Sequence, residues 1–470
     1  MTSMNNMALF IPVLGILLLE SLLLASFVIP PHVVVVQNRA SSLTQTNPQP
    51  LSILPSPRNE KGVYLDKLQN VKSNLISRNA SFLEINFSKE KAIRYEEGKM
   101  INEVPILAKG DPQGWGGTPA GLYAILTKHK VAFSGISQVY MPYAIKFYGK
   151  YYLHGEPYYA GGKKLSSDVS GGCIRLKDGD AEVLYNGVDE HLPVLVIDKE
   201  NDGYVYNFSS MQDPPQISAQ GYLIADLDSG FVFAEKNSQM ALPIASLTKL
   251  MTALILAENV DLRKSVEITP HILQAYGENP VLKAGEKLRV VELLYPLLIS
   301  SSNDAAEALG EFLGRENTIR FMNEKADAMF MEDASFADLS GLHEDNVATP
   351  QDLFFLGRYL LNNRPPILEI TKGKEVLSFG PLHFAKEDLW NKNIFHGDPS
   401  FLGGKTGYTN LSKHTALFLF RFLTQDAQSR NVAFILLGSE DIEAEVQKLY
   451  QWLTKSYAIR PDYTRQPLEQ

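Results

Sequence analysis

One cysteine, Cys173, is all that these 470 residues contain, which excludes an intrachain disulfide. The nine histidines are scattered, with no His-Glu-x-x-His and no paired-cysteine spacing, so nothing in the sequence argues for a metal site, and no cofactor is expected. Lys/Arg-rich runs and recurring aromatic-basic patterns are also missing, and the formal net charge is −9. Nucleic acid is therefore a poor candidate partner. No internal repeat is apparent. What the chain does have is length and 45% hydrophobic residues, enough for two or three separately cored domains.

Residues 8–19 and 22–36 are almost wholly apolar, broken by Glu20-Ser21 and by Pro30-Pro31-His32. Together they reach the length of about 20 residues that crosses a bilayer. No Lys or Arg precedes them, the first basic residue is Arg39, and no clean small-x-small cleavage site follows. Residues 1–36 thus read as a transmembrane segment or signal-anchor engaging the cytoplasmic membrane, uncleaved rather than removed. The expected location is extracytoplasmic, in the periplasm or cell wall, anchored or secreted. Exported proteins ordinarily use cysteines in pairs as bridges, so a lone thiol asks for a chemical explanation.

Residues 37–62 are polar and rich in Pro and Ser, the composition of a tether. Folded sequence follows over 63–198. Phe82–Phe87 alternates apolar and polar, a Glu96-Glu97-Gly98-Lys99 turn comes next, and an apolar run closes at Leu192–Ile197, which predicts a mostly-β domain opening with strands. Residues 199–215 break this pattern with Gly203 and Asp213-Pro214-Pro215, a domain junction. Over 216–460 the style changes. Tyr222–Asp226, Asp228-Ser229-Gly230 and Phe231–Ala234 predict a β-hairpin. Apolar residues at 247, 250, 251, 254 and 255 predict a helix, with further helices near 291–314, 320–331 and 350–362 and strands near 414–420 and 432–437. That is an α/β layer arrangement.

The cysteine lies in Ser170-Gly171-Gly172-Cys173-Ile174-Arg175-Leu176, downstream of His154-Gly155. A thiol attacks as the thiolate, which a nearby cation or imidazole favours; Arg175 and His154 are the candidates. Gly171 and Gly172 remove side chains ahead of the sulfur, so that backbone N–H groups can face a developing oxyanion. Taken alone, the cysteine could equally be a buried, inert hydrophobe. The full string, with Gly116-Gly117-Thr118-Pro119-Ala120-Gly121-Leu122-Tyr123 and Met141-Pro142-Tyr143, resembles the L,D-transpeptidase family with the YkuD-type catalytic domain, over approximately residues 80–198. Many members carry histidine where this chain has Gly171. The resemblance implies Cys173 as nucleophile, His154 as general base, Ser170 and Arg175 as pocket or substrate contacts, and the Gly172 and Cys173 amides as oxyanion donors. The implied reaction attacks the peptide bond after the third residue of a tetrapeptide stem, releases D-alanine and transfers the thioester to another stem's amine.

Ser246-Leu247-Thr248-Lys249 opens the first helix of the second domain, and a spacing of three puts hydroxyl and amine on one face. A serine hydroxyl needs a base with a lowered pKa, which a desolvated lysine can supply. Alone the motif says little, because on the order of two matches arise by chance in a chain this long. Ser301-Ser302-Asn303 and Lys405-Thr406-Gly407 follow in the order of a three-motif penicillin-binding site, although the first could merely cap a helix and the second could be a strand-turn. Pro243–Ala253, Ser302–Ala306 and Gly404–Asn410 are similar to the low-molecular-weight D-alanyl-D-alanine carboxypeptidases, the S11 serine peptidases, over about residues 214–455. That likeness implies a β-lactamase/penicillin-binding-protein-like fold. It further implies Ser246 as acylated nucleophile, Lys249 as its base, Ser301 and Asn303 in proton transfer and substrate holding, and Lys405, Thr406 and Gly407 at the terminal carboxylate. The Ser246 and Tyr408 amides would form the oxyanion hole. No Glu-x-x-Leu-Asn segment like that of class A β-lactamases is seen, so lactamase activity is the lesser reading. Since the sequence stops near 470, the extra C-terminal β domain common in that family is not expected.

The two resemblances describe a multidomain peptidoglycan enzyme acting on stem peptides and inhibited by β-lactams. A serine D,D-carboxypeptidase would make the tetrapeptide that a cysteine L,D-transpeptidase consumes. The alternatives are a D,D-endopeptidase with an L,D-carboxypeptidase, or one domain serving only to bind peptidoglycan.

Overall fold

The computed structural model describes residues 63–463 apart from 168, 200–203, 207–211 and 278–280. The apolar segment at 1–36 and the tether at 37–62 lie outside the described residues. Among those described, no helix is long and apolar enough to cross a membrane.

The N-terminal half opens on a helix, Val63–Ser77, and not on the strand that the alternation predicts; the strands begin at Phe82. Five strands then form one sheet in the order Lys99–Pro105, Lys91–Glu96, Phe82–Asn86, Pro193–Ile197, Gly121–Ala124. Its central pair, Phe82–Asn86 with Pro193–Ile197, is parallel and joins the two ends of this half. A second sheet orders Ile174–Arg175, Tyr151–His154, Val139–Tyr148 and Thr127–Ser134. Leu83, Ile85, Ile145, Phe147, Leu153, Ile174 and Val196 fill the space between them, packed with Ala181 and Leu184 of the Asp178–Gly187 helix.

The C-terminal half is built on an antiparallel sheet ordered Val232–Lys236, Gly221–Asp226, Ser429–Ser439, Lys413–Leu423, Phe401–Thr409. Both faces are covered, so its central strands are buried on both sides and read as near-continuous apolar runs. Period two still sorts them. Leu417, Leu419, Ile435 and Leu437 face one core with the Thr248–Asn259, Val290–Leu298 and Pro350–Asn363 helices, while Ala416, Phe418, Phe434 and Leu436 face another closed by Ile442–Ser456. The predicted helical stretch at 291–314 is broken: Val290–Leu298 stops, Ser301 takes φ +60°, and Ser302 caps a new helix, Asn303–Gly310, accepting from Ala305 N at 3.0 Å.

The two halves do not have separate cores throughout. Leu68, Ala120, Leu195 and Ile197 belong to the same buried cluster as the helical core of the C-terminal half, and the described residues of both halves fall in one compact unit. A charged cluster is buried at the same boundary. Glu258 pairs with Lys325 Nζ and with Arg364 Nη2, each at 2.9 Å, and all three side chains have no exposed surface. Burying ions costs several kcal/mol each unless every group is bonded. Here Tyr123, Tyr151 and Tyr359 supply further partners, while Arg364 Nε has no hydrogen-bond partner among the described residues.

Candidate active sites

Ser246 sits in a single 3₁₀ turn, Ala245–Leu247, that runs directly into the Thr248–Asn259 helix. Lys249 Nζ therefore reaches back one turn to Ser246 Oγ at 3.1 Å, and donates to Asn303 Oδ1 at 2.7 Å and to the Ser340 carbonyl. The amine is fully buried. Burial drives its pKa down to about 7, the charge of Lys392 adds to the drop, and Asp338 and Glu307 oppose it. An amine poised there is a competent base for a serine hydroxyl at neutral pH.

The Phe401–Thr409 strand is the sheet edge beside this turn. Gly407 makes the approach possible: a Cβ there would lie 2.7 Å from Ser246 N and 2.6 Å from Thr415 Oγ1. Thr415 Oγ1 in turn donates to the Ile244 carbonyl at 3.0 Å, tying the sheet to the nucleophile's turn. Lys405 is fully buried and its Nζ donates to Thr406 O at 2.7 Å. Desolvation, with the neighbouring charges of Lys249 and Lys392, holds it well below the ordinary lysine range. Thr406 Oγ1 donates to Lys392 O at 3.0 Å, and Tyr408 is exposed against His414. The amines of Lys249, Lys392 and Lys405 thus gather at one site, where a bound anion would offset the desolvation of Lys405.

Structure thus brings Ser246, Lys249, Asn303, Lys405 and Gly407 together. Among the described residues no side-chain hydrogen bond joins Ser301 to Ser246 or Lys249; its visible peculiarity is the left-handed backbone, which turns the chain between two helices. Capping of the following helix falls to Ser302. Sequence reasoning overlooked Asp338, whose carboxylate accepts from the Ser340, Gly341, Leu342 and His343 amides and builds the loop presenting Ser340 O to Lys249. The Asp-Leu-Ser-Gly string is a turn signal that could have pointed to it.

The cysteine site is made by two short parallel strands. Ile174 pairs with Leu153 and Arg175 with His154, which sets Cys173 one step before the ladder and beside Tyr152. His154 Nδ1 lies 2.6 Å from the Gly155 carbonyl. A carbonyl can only accept, so Nδ1 carries the proton and Nε2 is left as the basic nitrogen. Burial depresses this imidazole to about 4, the Gly155 hydrogen bond working against it. The half-buried Cys173 thiol is pushed up to about 11 by desolvation, against the pull of the Tyr152 backbone N–H and of the Arg175 and Lys150 charges. Burial thus favours the uncharged forms of both groups.

Ser170 and Gly172 take positions that differ from the substrate-facing roles implied by resemblance. Ser170 Oγ donates to Cys173 O and accepts from Gly172 N at 3.0 Å, so both groups serve the turn itself and the Gly172 amide is occupied. Arg175 is buried, donates to Ser167 O at 2.8 Å, and keeps a buried Nε without a hydrogen-bond partner among the described residues. Gly172 has φ +115°, and a Cβ on it would strike the Tyr151 ring at 2.2 Å; Gly171 is exposed with open space around it. Among the described residues no cluster of three or more His, Cys, Asp or Glu could hold a metal ion.

A serine hydrogen-bonded to a buried lysine amine at a sheet edge, and a lone cysteine just ahead of a strand that pairs with the His154 strand, are two candidate nucleophile sites in one chain. The family model for D-alanyl-D-alanine carboxypeptidase matches residues 208–435, and that for the L,D-transpeptidase catalytic domain matches residues 81–196. The chain belongs to the D-alanyl-D-alanine carboxypeptidase family and carries an L,D-transpeptidase catalytic domain ahead of it. It is similar to the D-alanyl-D-alanine carboxypeptidase DacB2 of Mycobacterium tuberculosis, 32% identical over 206 residues that cover 43% of this chain and 70% of that one. The D-alanyl-D-alanine endopeptidase of Haemophilus influenzae is also 32% identical, over 44% of this chain and 73% of its own length. Against the carboxypeptidase DacF of Bacillus subtilis identity is 28%, over 53% of this chain and 65% of the relative, so the chain spans less than two thirds of that protein.

Proposed function

We infer that this is a bifunctional peptidoglycan enzyme, extracytoplasmic and held to the cytoplasmic membrane by residues 1–36, in which a serine D,D-carboxypeptidase makes the donor for a cysteine L,D-transpeptidase. The observation that carries the first activity is the buried Lys249 amine, bonded to Ser246 Oγ at 3.1 Å with a pKa near neutrality. In this reading the neutral amine takes the hydroxyl proton as Oγ attacks the carbonyl between the two terminal D-alanines. The proton passes to the departing D-alanine, and water then hydrolyses the ester. Lys405 and Thr406 receive the terminal carboxylate, whose charge favours the protonated form of the desolvated Lys405. A β-lactam presents a carboxylate beside a reactive carbonyl in the same way and would acylate Ser246.

For the second activity the support is the His154 tautomer, which leaves Nε2 free to take the Cys173 proton during attack. The thioester carbon–sulfur bond forms on the stem's third residue as its C–N bond to D-alanine breaks, and the imidazolium gives its proton to the departing amine. An amine of a neighbouring stem then displaces the thiolate, giving the cross-link and returning the proton to the thiol. With Gly172 N–H engaged by Ser170, the Cys173 amide is the remaining oxyanion donor of the turn.

The test is incubation of the full chain with pentapeptide muropeptides. Wild type should give tetrapeptides and cross-links between third residues; Ser246→Ala should give neither, and Cys173→Ala only tetrapeptides. Undiminished cross-linking by Ser246→Ala from pentapeptides defeats the coupling. Because one relative is named an endopeptidase, cleavage of existing D,D-cross-links is the second reading, and it is distinguished by product masses from cross-linked dimers.

A further inference from the structure

The helix that follows the Ser246 turn ends against the cysteine domain. Thr248–Asn259 carries Glu258 in its last turn, and its terminal carbonyls, Ala257 O and Val260 O just beyond, accept from Lys150 Nζ at 3.1 and 3.3 Å. Lys150 is the residue immediately before the Tyr151–His154 strand that holds the histidine. Glu258 in turn fixes Arg364, which caps the Pro365–Thr371 helix of the serine half.

Arg364 then reaches across the boundary with both of its terminal nitrogens. Nη1 donates to Gly117 O at 2.6 Å, and Nη2 donates to Tyr151 OH at 2.6 Å. These two acceptors belong to the two segments that wall the cysteine turn, the Tyr151 side chain and the Gly116-Gly117 backbone. The Tyr151 ring lies so close to Gly172 that a methyl there would meet it at 2.2 Å, and the Gly116 carbonyl, one residue before Gly117, lies 3.0 Å from the same point. On the opposite side of this stack a Cβ at Gly110 would find Gly116 O at 1.9 Å and Gly172 Cα at 2.7 Å. Cys173 follows Gly172 directly. The turn is clamped between two surfaces, and one fully buried guanidinium from the other domain bonds to both.

We propose that Arg364 is a positioning residue for the cysteine site: by bonding Tyr151 and Gly117 together it fixes the Gly172–Cys173 turn, so that the transpeptidase centre is complete only with the serine domain in place. A planar fork suits this task because its two N–H groups leave in a fixed geometry, whereas an ammonium cannot span the same pair of acceptors without losing one. The inference rests on the reading of Cys173 as a nucleophile, but its test does not need transpeptidation to occur. Since Cys173 is the chain's sole thiol, alkylation by iodoacetamide reports on it alone.

Arg364→Lys and Tyr151→Phe are made in the full chain, the latter keeping the ring that packs on Gly172 while removing one acceptor and leaving Arg364 paired with Glu258. Penicillin acylation of Ser246, within twofold of wild type, certifies the fold of each variant. Positioning predicts that the alkylation rate of Cys173 changes at least fivefold in both variants across pH 7–10, that cross-linking falls at least tenfold, and that the double variant is no worse than the more affected single one. Alkylation rates within twofold of wild type in both variants overturn the proposal, whatever happens to cross-linking. If wild type forms no cross-links yet the alkylation rates shift as expected, the clamp stands and the transpeptidase reading is what falls.

Discussion

Gly407 lies against Ser246 so closely that a single added methyl would sit 2.7 Å from the serine's amide nitrogen. Lys-Thr-Gly in this chain thus ends in glycine for a steric reason, with Ala245 Cβ only 3.0 Å away as well. Gly407→Ala is predicted to push the edge strand off the nucleophile's turn, with an overpacking cost of about 1–3 kcal/mol. Penicillin acylation should slow by at least tenfold, and thermal unfolding should show the loss of stability. Wild-type acylation in Gly407→Ala would mean that the strand edge is not part of the site.

Lys249 sets a pH dependence of definite sign. In the proposed reaction its neutral form is the base, and burial lowers its pKa from 10.5 to about 7, so acylation of Ser246 should rise through pH 7 and level off above pH 8. Stability moves the same way. Between about 7 and 10.5 the unfolded chain binds a proton that the folded one does not, so this group's contribution to stability grows as pH rises across that window. Stopped-flow acylation by a reporter β-lactam against pH measures the first effect, and a flat profile from pH 6 to 9 would exclude Lys249 as base.

Cys173 and His154 predict a different profile. With the thiol near 11 and the imidazole near 4, burial disfavours a thiolate–imidazolium pair at neutral pH. Alkylation of the thiol should be slow at pH 7 and climb about tenfold per pH unit up to about pH 10 without an earlier plateau. A plateau below pH 8 would reveal a preformed ion pair.

Gly171 and Gly172 should respond oppositely to substitution. Nothing lies within 4 Å of a Cβ at the exposed Gly171, so Gly171→His should leave stability within about 0.5 kcal/mol of wild type while placing a second imidazole next to the thiol. Gly172→Ala meets the Tyr151 ring at 2.2 Å on top of a left-handed backbone, and should lose cross-linking at least a hundredfold. Chemical denaturation and alkylation rates check both variants.

Much of this was readable from local sequence. The Ser246–Lys249 spacing is one helical turn, and the structure closes that turn with a hydrogen bond. The period-two runs near 414–420 and 432–437 lie within the long strands Lys413–Leu423 and Ser429–Ser439. Other elements had no such signal. Pro365–Thr371 is short and begins with two prolines, and Val63–Ser77 follows a polar tether whose composition masks it. Asp338 is set apart from other loop acids only by the fold, in which its carboxylate gathers four backbone amides.

Residue type and near-neighbour spacing made Cys173 and the Ser246–Lys249 pair candidates, and the family resemblances gave them roles, because acyl transfer imposes short-range geometry that one helical turn or one strand register can satisfy. The tertiary structure decided the rest. Only burial could take Lys249 to about 7 and the Cys173 thiol to about 11, since desolvation depends on what the whole chain packs around a group. Only packing could bring Arg364 to Tyr151 across 213 residues of sequence, a contact with no motif because nothing local requires it.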